Sequence, residues 1–218
     1  MKNIQLYSLA TPNGQKVSIA LEEMELEYDA HLINIMKNEQ FTNEFIAINP
    51  NSKIPAITDL NGPGNMPINI MESGAILLYL AEKTGLLLSK NARERSETIQ
   101  WLFFQMGGVG PMFGQFGHFY KYAKDKCDHP YPVERYSTEV KRLLKVLDSR
   151  LAINKYIVGD HLSIADISIF PWVSALDQFY NASEFLGLNK DYPHLKEWLE
   201  VCLARPKVKI GMNVCNNF

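Results

Sequence analysis

The chain has 218 residues, of which 46% are apolar and 21% charged, with a formal net charge of −2. This is ordinary globular composition, long enough for two compact units, and its near-neutral balance argues against nucleic acid or another polyanion as partner. The longest apolar run, Ala75 to Ala81, falls far short of the ~20 residues a membrane span requires, and Met1-Lys2-Asn3-Ile4-Gln5-Leu6 lacks the apolar region of a secretory leader, so a cytoplasmic protein without membrane association is expected.

Ile4 to Leu9 is a β-prone run that ends at Ala10-Thr11-Pro12-Asn13-Gly14, after which Val17, Ala20, Leu21 and Met24 recur at helical spacing. Tyr28 to Asn34 predicts a second strand. Asn38 to Ile48, with Phe41, Phe45 and Ile48 on one face, predicts a second helix that stops before Asn49-Pro50. Ile54 to Asp59 and Met66 to Met71 read as two strands whose Gly62-Pro63-Gly64 connection suits a hairpin, and a helix begins at Ser73. The order βαβαββα suits one small α/β domain over residues 1–84.

Beyond a linker at residues 85–90 the pattern changes, and residues 91–218 are expected to form an all-helical domain. Arg93 to about Ala123 predicts one long helix weakened by Gly107-Gly108 and Gly110-Pro111. Glu134 to Leu151 carries Tyr136, Val140, Leu143, Leu144 and Leu147 on one face. Ser163-Ile164-Ala165-Asp166 resembles a capping box before an apolar helix running towards Phe179, which Pro171 should kink. Tyr192 to Ala204, with Pro193 in its first turn, is the last predicted helix.

The three cysteines, Cys127, Cys202 and Cys215, are widely spaced and form no C-x-x-C pair, which argues against a disulfide framework and against a zinc site. Any redox chemistry must then take its thiol from another molecule. No metal is expected.

Two short segments carry the chemistry. Pro55 opens a strand, where proline removes a ladder donor. A cis Ile54-Pro55 bond in a thioredoxin-like domain explains it, because the turn exposes the Ile54 N–H and C=O to a peptide that pairs like an added strand; a trans proline at an edge strand is the alternative. Glu72-Ser73-Gly74-Ala75 lies where a strand passes into a helix, so the Ser73 hydroxyl and nearby N–H groups suit a carboxylate. Glu72 adds a charge suited to an α-ammonium, so the ligand would carry both groups on one carbon. A plain N-cap is the competing reading of Ser73.

Asn49-Pro50-Asn51-Ser52-Lys53-Ile54-Pro55-Ala56, followed by Glu72-Ser73-Gly74-Ala75-Ile76-Leu77 with Tyr79-Leu80, resembles a cytosolic glutathione S-transferase, and the resemblance extends over the whole chain. It implies that Ile54 presents backbone hydrogen bonds to the cysteinyl part of glutathione, with Pro55 part of the same binding site. Glu72 and Ser73 would hold the γ-glutamyl end, and Lys53, joined by Gln40, the glycyl carboxylate. Thr11-Pro12-Asn13-Gly14-Gln15-Lys16-Val17, Gln100-Trp101-Leu102, Gly110-Pro111-Met112, Gln115 and Arg135-Tyr136 are similar to the bacterial Nu class and its fungal Ure2-like relatives. That class reduces disulfides with glutathione and shows weak transferase activity. The resemblance implies Thr11 and Asn13 as the catalytic thiolate handlers, Arg135 as a contact for a second glutathione, glutathione as co-substrate and a homodimer.

The implied chemistry is physically reasonable. A hydroxyl and an amide at a helix N-terminus can donate to a thiolate that the helix dipole also favours, and a thiol of pKa about 8.5 gains reactive fraction severalfold from one unit of depression. Tyr7, near the end of the first strand, is the rival thiolate partner, but its alternation with Gln5 and Leu9 suits strand packing better. The competing activities are conjugation of glutathione to an electrophile and a non-enzymatic regulatory role.

Overall fold

The computed structural model describes residues 1–216. The chain divides into two compact units, one made of Met1–Leu88 together with the segment from Ala204 onward, the other of Ser89–Leu203.

The first unit is built on a four-stranded sheet of β1 (Ile4–Ser8), β2 (Tyr28–Leu32), β3 (Ala56–Asp59) and β4 (Ile68–Met71), in the order β2-β1-β3-β4. β1 pairs parallel with β2, Ile4 facing Tyr28, and antiparallel with β3, Tyr7 facing Ala56; β3 and β4 form the antiparallel hairpin. The parallel β1–β2 pair is possible because α1 (Pro12–Glu23) makes the crossover. α3 (Ser73–Thr84) packs against α1 and β3, while Phe45 of α2 (Asn43–Ile48) meets the edge of Tyr7 on the sheet. The thioredoxin-like βαβαββα order expected from the sequence is the order observed.

One expected helix is shorter than its periodicity suggested. The apolar spacing of Phe41, Phe45 and Ile48 predicts a helix from Asn38, yet Asn38 adopts φ 61 and separates two 3-10 turns, Ile35–Lys37 and Glu39–Phe41. Thr42 is then extended and caps α2 by accepting from the Phe45 N–H, so Phe41 falls outside the helix and stays exposed.

At the hairpin end, Asp59 is fully buried, and its carboxylate accepts from Tyr79 Oη at 2.7 Å and Asn61 N at 2.9 Å and pairs with Lys83 Nζ at 2.8 Å. Burial pushes this carboxyl upward, but these partners outweigh it and hold the group below its ordinary range.

The chain end departs from the expected division at residues 91–218. After Ala204 a further helix, α11 (Pro206–Gly211, the labels α4 to α10 being assigned below), lies against α1 and belongs to the first unit. Ser18 Oγ donates to Gly211 O at 2.6 Å and Gln15 Nε2 to Met212 O at 3.2 Å. Arg205 grips Glu23 through two hydrogen bonds of 2.7 and 2.6 Å. A Cβ on Gly211 would stand 2.6 Å from Ile19 Cα, so only glycine permits this approach.

Among its described residues the second unit is helical: α4 (Ala92–Phe104), α5 (Gly110–Gly117), α6 (Tyr131–Leu151), α7 (Ile164–Gln178), the short α8 (Ser183–Leu186) and α9 (Leu188–Asp191), and α10 (Pro193–Ala204). Gly107 and Gly108, expected to weaken the first long helix, lie in a π-turn at Gln105–Val109 after α4, and a second π-turn, His118–Tyr122, follows α5. Ser163 and Asp166 form the capping box that the sequence suggested, and Pro171 lies inside α7. Asp166 also accepts from Ile157 N at 2.8 Å and Trp198 Nε1 at 3.0 Å, so a fully buried carboxylate ties three segments of this unit together.

Candidate functional site

A small cleft in the first unit, about 50 Å³, is lined by Asn13, Asn49, Lys53, Ile54, Pro55, Glu72 and Ser73. These residues come from the start of α1, the loop after α2 and the junction of β4 with α3. Six of them are among the site residues expected from the sequence.

The loop owes its shape to Asn49, which is 2% exposed at the C-terminal end of α2. Its Nδ2 donates to Lys53 O at 2.6 Å and its Oδ1 accepts from Asn51 N at 2.9 Å, while Ser52 turns the chain at φ 54. The side chain thus replaces the backbone ladder that an irregular segment lacks. The Ile54-Pro55 peptide is cis, and β3 starts only at Ala56, so Ile54 stands ahead of the strand.

On the opposite wall, Glu72 occupies φ 68, ψ 116 and its C=O accepts from Ile76 N at 2.9 Å, opening α3. A residue with a Cβ at such φ is held there by its surroundings at a cost of about 1–3 kcal/mol, a pattern typical of functional sites. Ser73 follows as the first residue of α3 and is 3% exposed.

Thr11 is the N-cap of α1, extended at φ −88, ψ 164. Its Oγ1 accepts from Gly14 N at 3.4 Å, which leaves the hydroxyl hydrogen to donate elsewhere. Gly14 is required here: a Cβ would fall 1.9 Å from Leu9 O, so glycine lets the first turn of α1 close against the end of β1. Thr11 and Asn13 are both half-buried. The α1 N-terminus, with its positive dipole end, therefore stands over the end of β1.

Three expected site residues, Thr11, Gln40 and Arg135, lie outside the cleft lining, as does the rival Tyr7. Gln40 sits half-buried in the turn Glu39–Phe41, with Oε1 sealed from solvent and lacking a hydrogen-bond partner. Arg135 is exposed near the start of α6, in the helical unit. Tyr7, the rival thiolate partner, stacks on His31 with ring centroids 4.8 Å apart.

Lys16 was missed by sequence reasoning. It is 0% exposed, and its Nζ donates to Ser73 Oγ at 3.2 Å. Burial drives its pKa well below the ordinary lysine value, and the Glu72 carboxylate pulls the other way. The available signal was its place four residues before Ala20 on the apolar stripe of α1, where a lysine is out of pattern.

Among the described residues no group of three or more His, Cys, Asp or Glu side chains is placed to hold a metal ion, and no helix is long and apolar enough to cross a membrane. Cys127 and Cys215 are half-buried, Cys202 is buried, and none of the three lines the cleft.

Comparison with known proteins agrees with this geometry. A model of the glutathione S-transferase N-terminal domain matches residues 10–83, and one of the C-terminal domain matches residues 108–206. The chain is 47% identical over 204 residues to the disulfide-bond oxidoreductase YfcG of Escherichia coli strain K12, covering 93% of this chain and 91% of that one. A glutathione transferase family member from Pseudomonas fluorescens, solved with two glutathione bound, superimposes with a TM-score of 0.95 at 51% identity, covering 98% of this chain and 93% of that one. A glutathione transferase from Pseudomonas putida, with one glutathione disulfide bound per subunit, gives 0.94 at 49% identity over 97% and 91%. With both parts of the chain matched and relatives aligned over nearly its whole length, the chain belongs to the glutathione S-transferase family.

Proposed function

We propose that the protein is a glutathione-dependent disulfide-bond oxidoreductase that works through the thiolate of bound glutathione. The observation that carries this reading is the cleft itself, in which a helix N-terminus capped by Thr11 stands beside a peptide-binding edge and no protein cysteine takes part. Cys215, whose carbonyl accepts from Ala10 N at 3.2 Å, has its thiol pushed up in pKa by burial and makes a poor nucleophile.

Ile54, ahead of β3, pairs through its backbone with the cysteinyl residue, with Pro55 shaping the turn. Glu72 and Ser73 take the γ-glutamyl ammonium and carboxylate, and Lys53, with Gln40, the glycyl carboxylate. Thr11 and Asn13 donate to the cysteinyl sulfur, lowering its pKa. This thiolate attacks a disulfide, forming a mixed disulfide and releasing one substrate thiolate. A second glutathione thiolate then attacks the glutathione sulfur of that intermediate, so glutathione disulfide and the second substrate thiolate leave. The Pseudomonas relatives, holding two glutathione or one glutathione disulfide, support two molecules per site, and Arg135 is assigned to a carboxylate of the second. A homodimeric, cytoplasmic enzyme follows from the family, and light scattering of the purified protein tests the dimer.

The decisive experiment replaces Cys127, Cys202 and Cys215 together and follows turnover of hydroxyethyl disulfide with glutathione. Retention of activity is expected. Its loss in a folded variant overturns the mechanism, and faster turnover of a chloronitrobenzene than of the disulfide would instead make the protein a conjugating transferase. Tight glutathione binding without either turnover would point to a regulatory protein.

A further inference from the structure

Lysine is among the residues least often buried, because removing an ammonium from water is costly unless it is hydrogen-bonded and charge-compensated. Lys16 is nevertheless fully enclosed at 0% exposure, in the first turns of α1, which packs against α3. An apolar side chain of similar length would fill this site more cheaply, and packing alone therefore does not account for the lysine. Its polar environment does point somewhere: Nζ lies 3.2 Å from Ser73 Oγ, and the Glu72 carboxylate is near enough to favour the ammonium. Both neighbours line the cleft.

We propose that Lys16 is a positioning residue for the γ-glutamyl carboxylate of glutathione, acting through Ser73 from behind the cleft. An ammonium has three donors and no acceptor, whereas a hydroxyl has one hydrogen and two lone pairs. When Nζ donates to Ser73 Oγ, that oxygen must accept, so the Ser73 hydrogen is kept for an acceptor other than Lys16. A carboxylate entering the cleft is such an acceptor. A glutamine or water at the same place could take the hydrogen itself and leave Ser73 presenting a lone pair to an anion. As the ammonium, Lys16 also lays a positive charge behind the site that receives a negative one, with Glu72 favouring that form before the ligand arrives. Incoming carboxylate charge then pulls the Lys16 equilibrium toward the ammonium, in the same direction as Glu72 and against burial.

The inference rests on the assignment of Ser73 to the γ-glutamyl end, and the test separates the two. Calorimetry is run on the full chain and on Lys16→Met, with glutathione and with its analogue in which 4-aminobutyrate replaces the γ-glutamyl residue, removing the α-carboxylate. Circular dichroism and thermal melting confirm the fold. Wild type is expected to bind glutathione more tightly than the analogue, and Lys16→Met to lose about tenfold or more for glutathione while matching wild type on the analogue. Equal affinity of the two proteins for glutathione, or equal loss for both ligands, overturns the role of Lys16 and leaves the proposed function standing. Failure of wild type to bind glutathione overturns the function itself. Should Lys16→Met not fold, Lys16→Gln replaces it, with the same carboxylate-dependent loss expected and the same equalities refuting it.

Discussion

Glu72 offers the most direct separation of strain from binding. It sits at φ 68, ψ 116, where the backbone cost is about 1–3 kcal/mol for a residue bearing a Cβ and smaller for glycine, which has no Cβ to clash. Glu72→Gly relieves that strain but enlarges the freedom of the unfolded chain, worth roughly 0.4–1 kcal/mol against it. Glu72→Gln keeps the strain and removes only the charge. Both variants lose the electrostatic support that Glu72 gives Lys16, so this effect cancels between them. Glu72→Gly should therefore be more stable than Glu72→Gln by about 0–2.5 kcal/mol, or up to several degrees in melting temperature at about 2–4 °C per kcal/mol. Both should bind glutathione more weakly. A charge-assisted hydrogen bond is worth about 1.5–3 kcal/mol, and because Glu72 is solvent-exposed the lower end applies, near a tenfold loss. Denaturant melts and calorimetry read the two effects separately. If Glu72→Gln proved the more stable variant, strain would not be stored at this position; if either variant bound glutathione like wild type, Glu72 would not hold the ammonium.

Two further predictions follow from named contacts. Thr11→Val removes the donor proposed for the sulfur and the cap to Gly14, so the pKa of bound glutathione, followed by ultraviolet absorbance of its thiolate, should rise by about one unit or more; Thr11→Ser should restore it. Asp59 has its folded pKa depressed, so its contribution to stability is present above the unfolded value near 3.9 and is lost as pH falls through the folded value; Asp59→Asn should flatten the acid limb of a stability-versus-pH curve below about pH 4.

How much of this was legible in the sequence depends on whether a position obeys local rules. β1, α1, α6 and the capping box at Ser163 follow hydrophobic period and cap chemistry, and their chain order emerged directly. Of the cleft lining, Ile54-Pro55 and Glu72-Ser73 emerged because they break those rules conspicuously, whereas Asn13 and Lys53 were implied only by the resemblance to the glutathione transferases. Asn38 misled because the apolar spacing of Phe41, Phe45 and Ile48 continues across it, while its left-handed φ, which asparagine tolerates, interrupts the helix. Asn49 and Lys16 were opaque for another reason. Their roles are set by groups that only folding brings near, Lys53 O in one case and Ser73 Oγ, 57 residues distant, in the other.

The same logic explains why the chain end joins the first unit rather than the helical one. An amphipathic helix needs one covered face, but in α1 every residue from Gly14 to Leu21 is buried, on all sides. That run includes Gln15 and Ser18, whose donor groups need partners when enclosed. The apolar face supplied by Val17, Ala20 and Leu21 offers no acceptor for the Gln15 Nε2 and Ser18 Oγ donors. Backbone carbonyls of Met212 and Gly211 accept from them, although Gln15 Oε1 stays buried without a partner, and the segment arrives with a glycine that allows contact at Ile19 and with Arg205 fixing the far end of α1 through Glu23. α1 is thus held along the side that carries Gln15 and Ser18, while Asn13 lines the cleft and Lys16 reaches Ser73. The thiolate donors proposed at the start of α1 need to be held to within about 0.5 Å, and Gln15 and Ser18 bind the chain end along that helix through Met212 and Gly211.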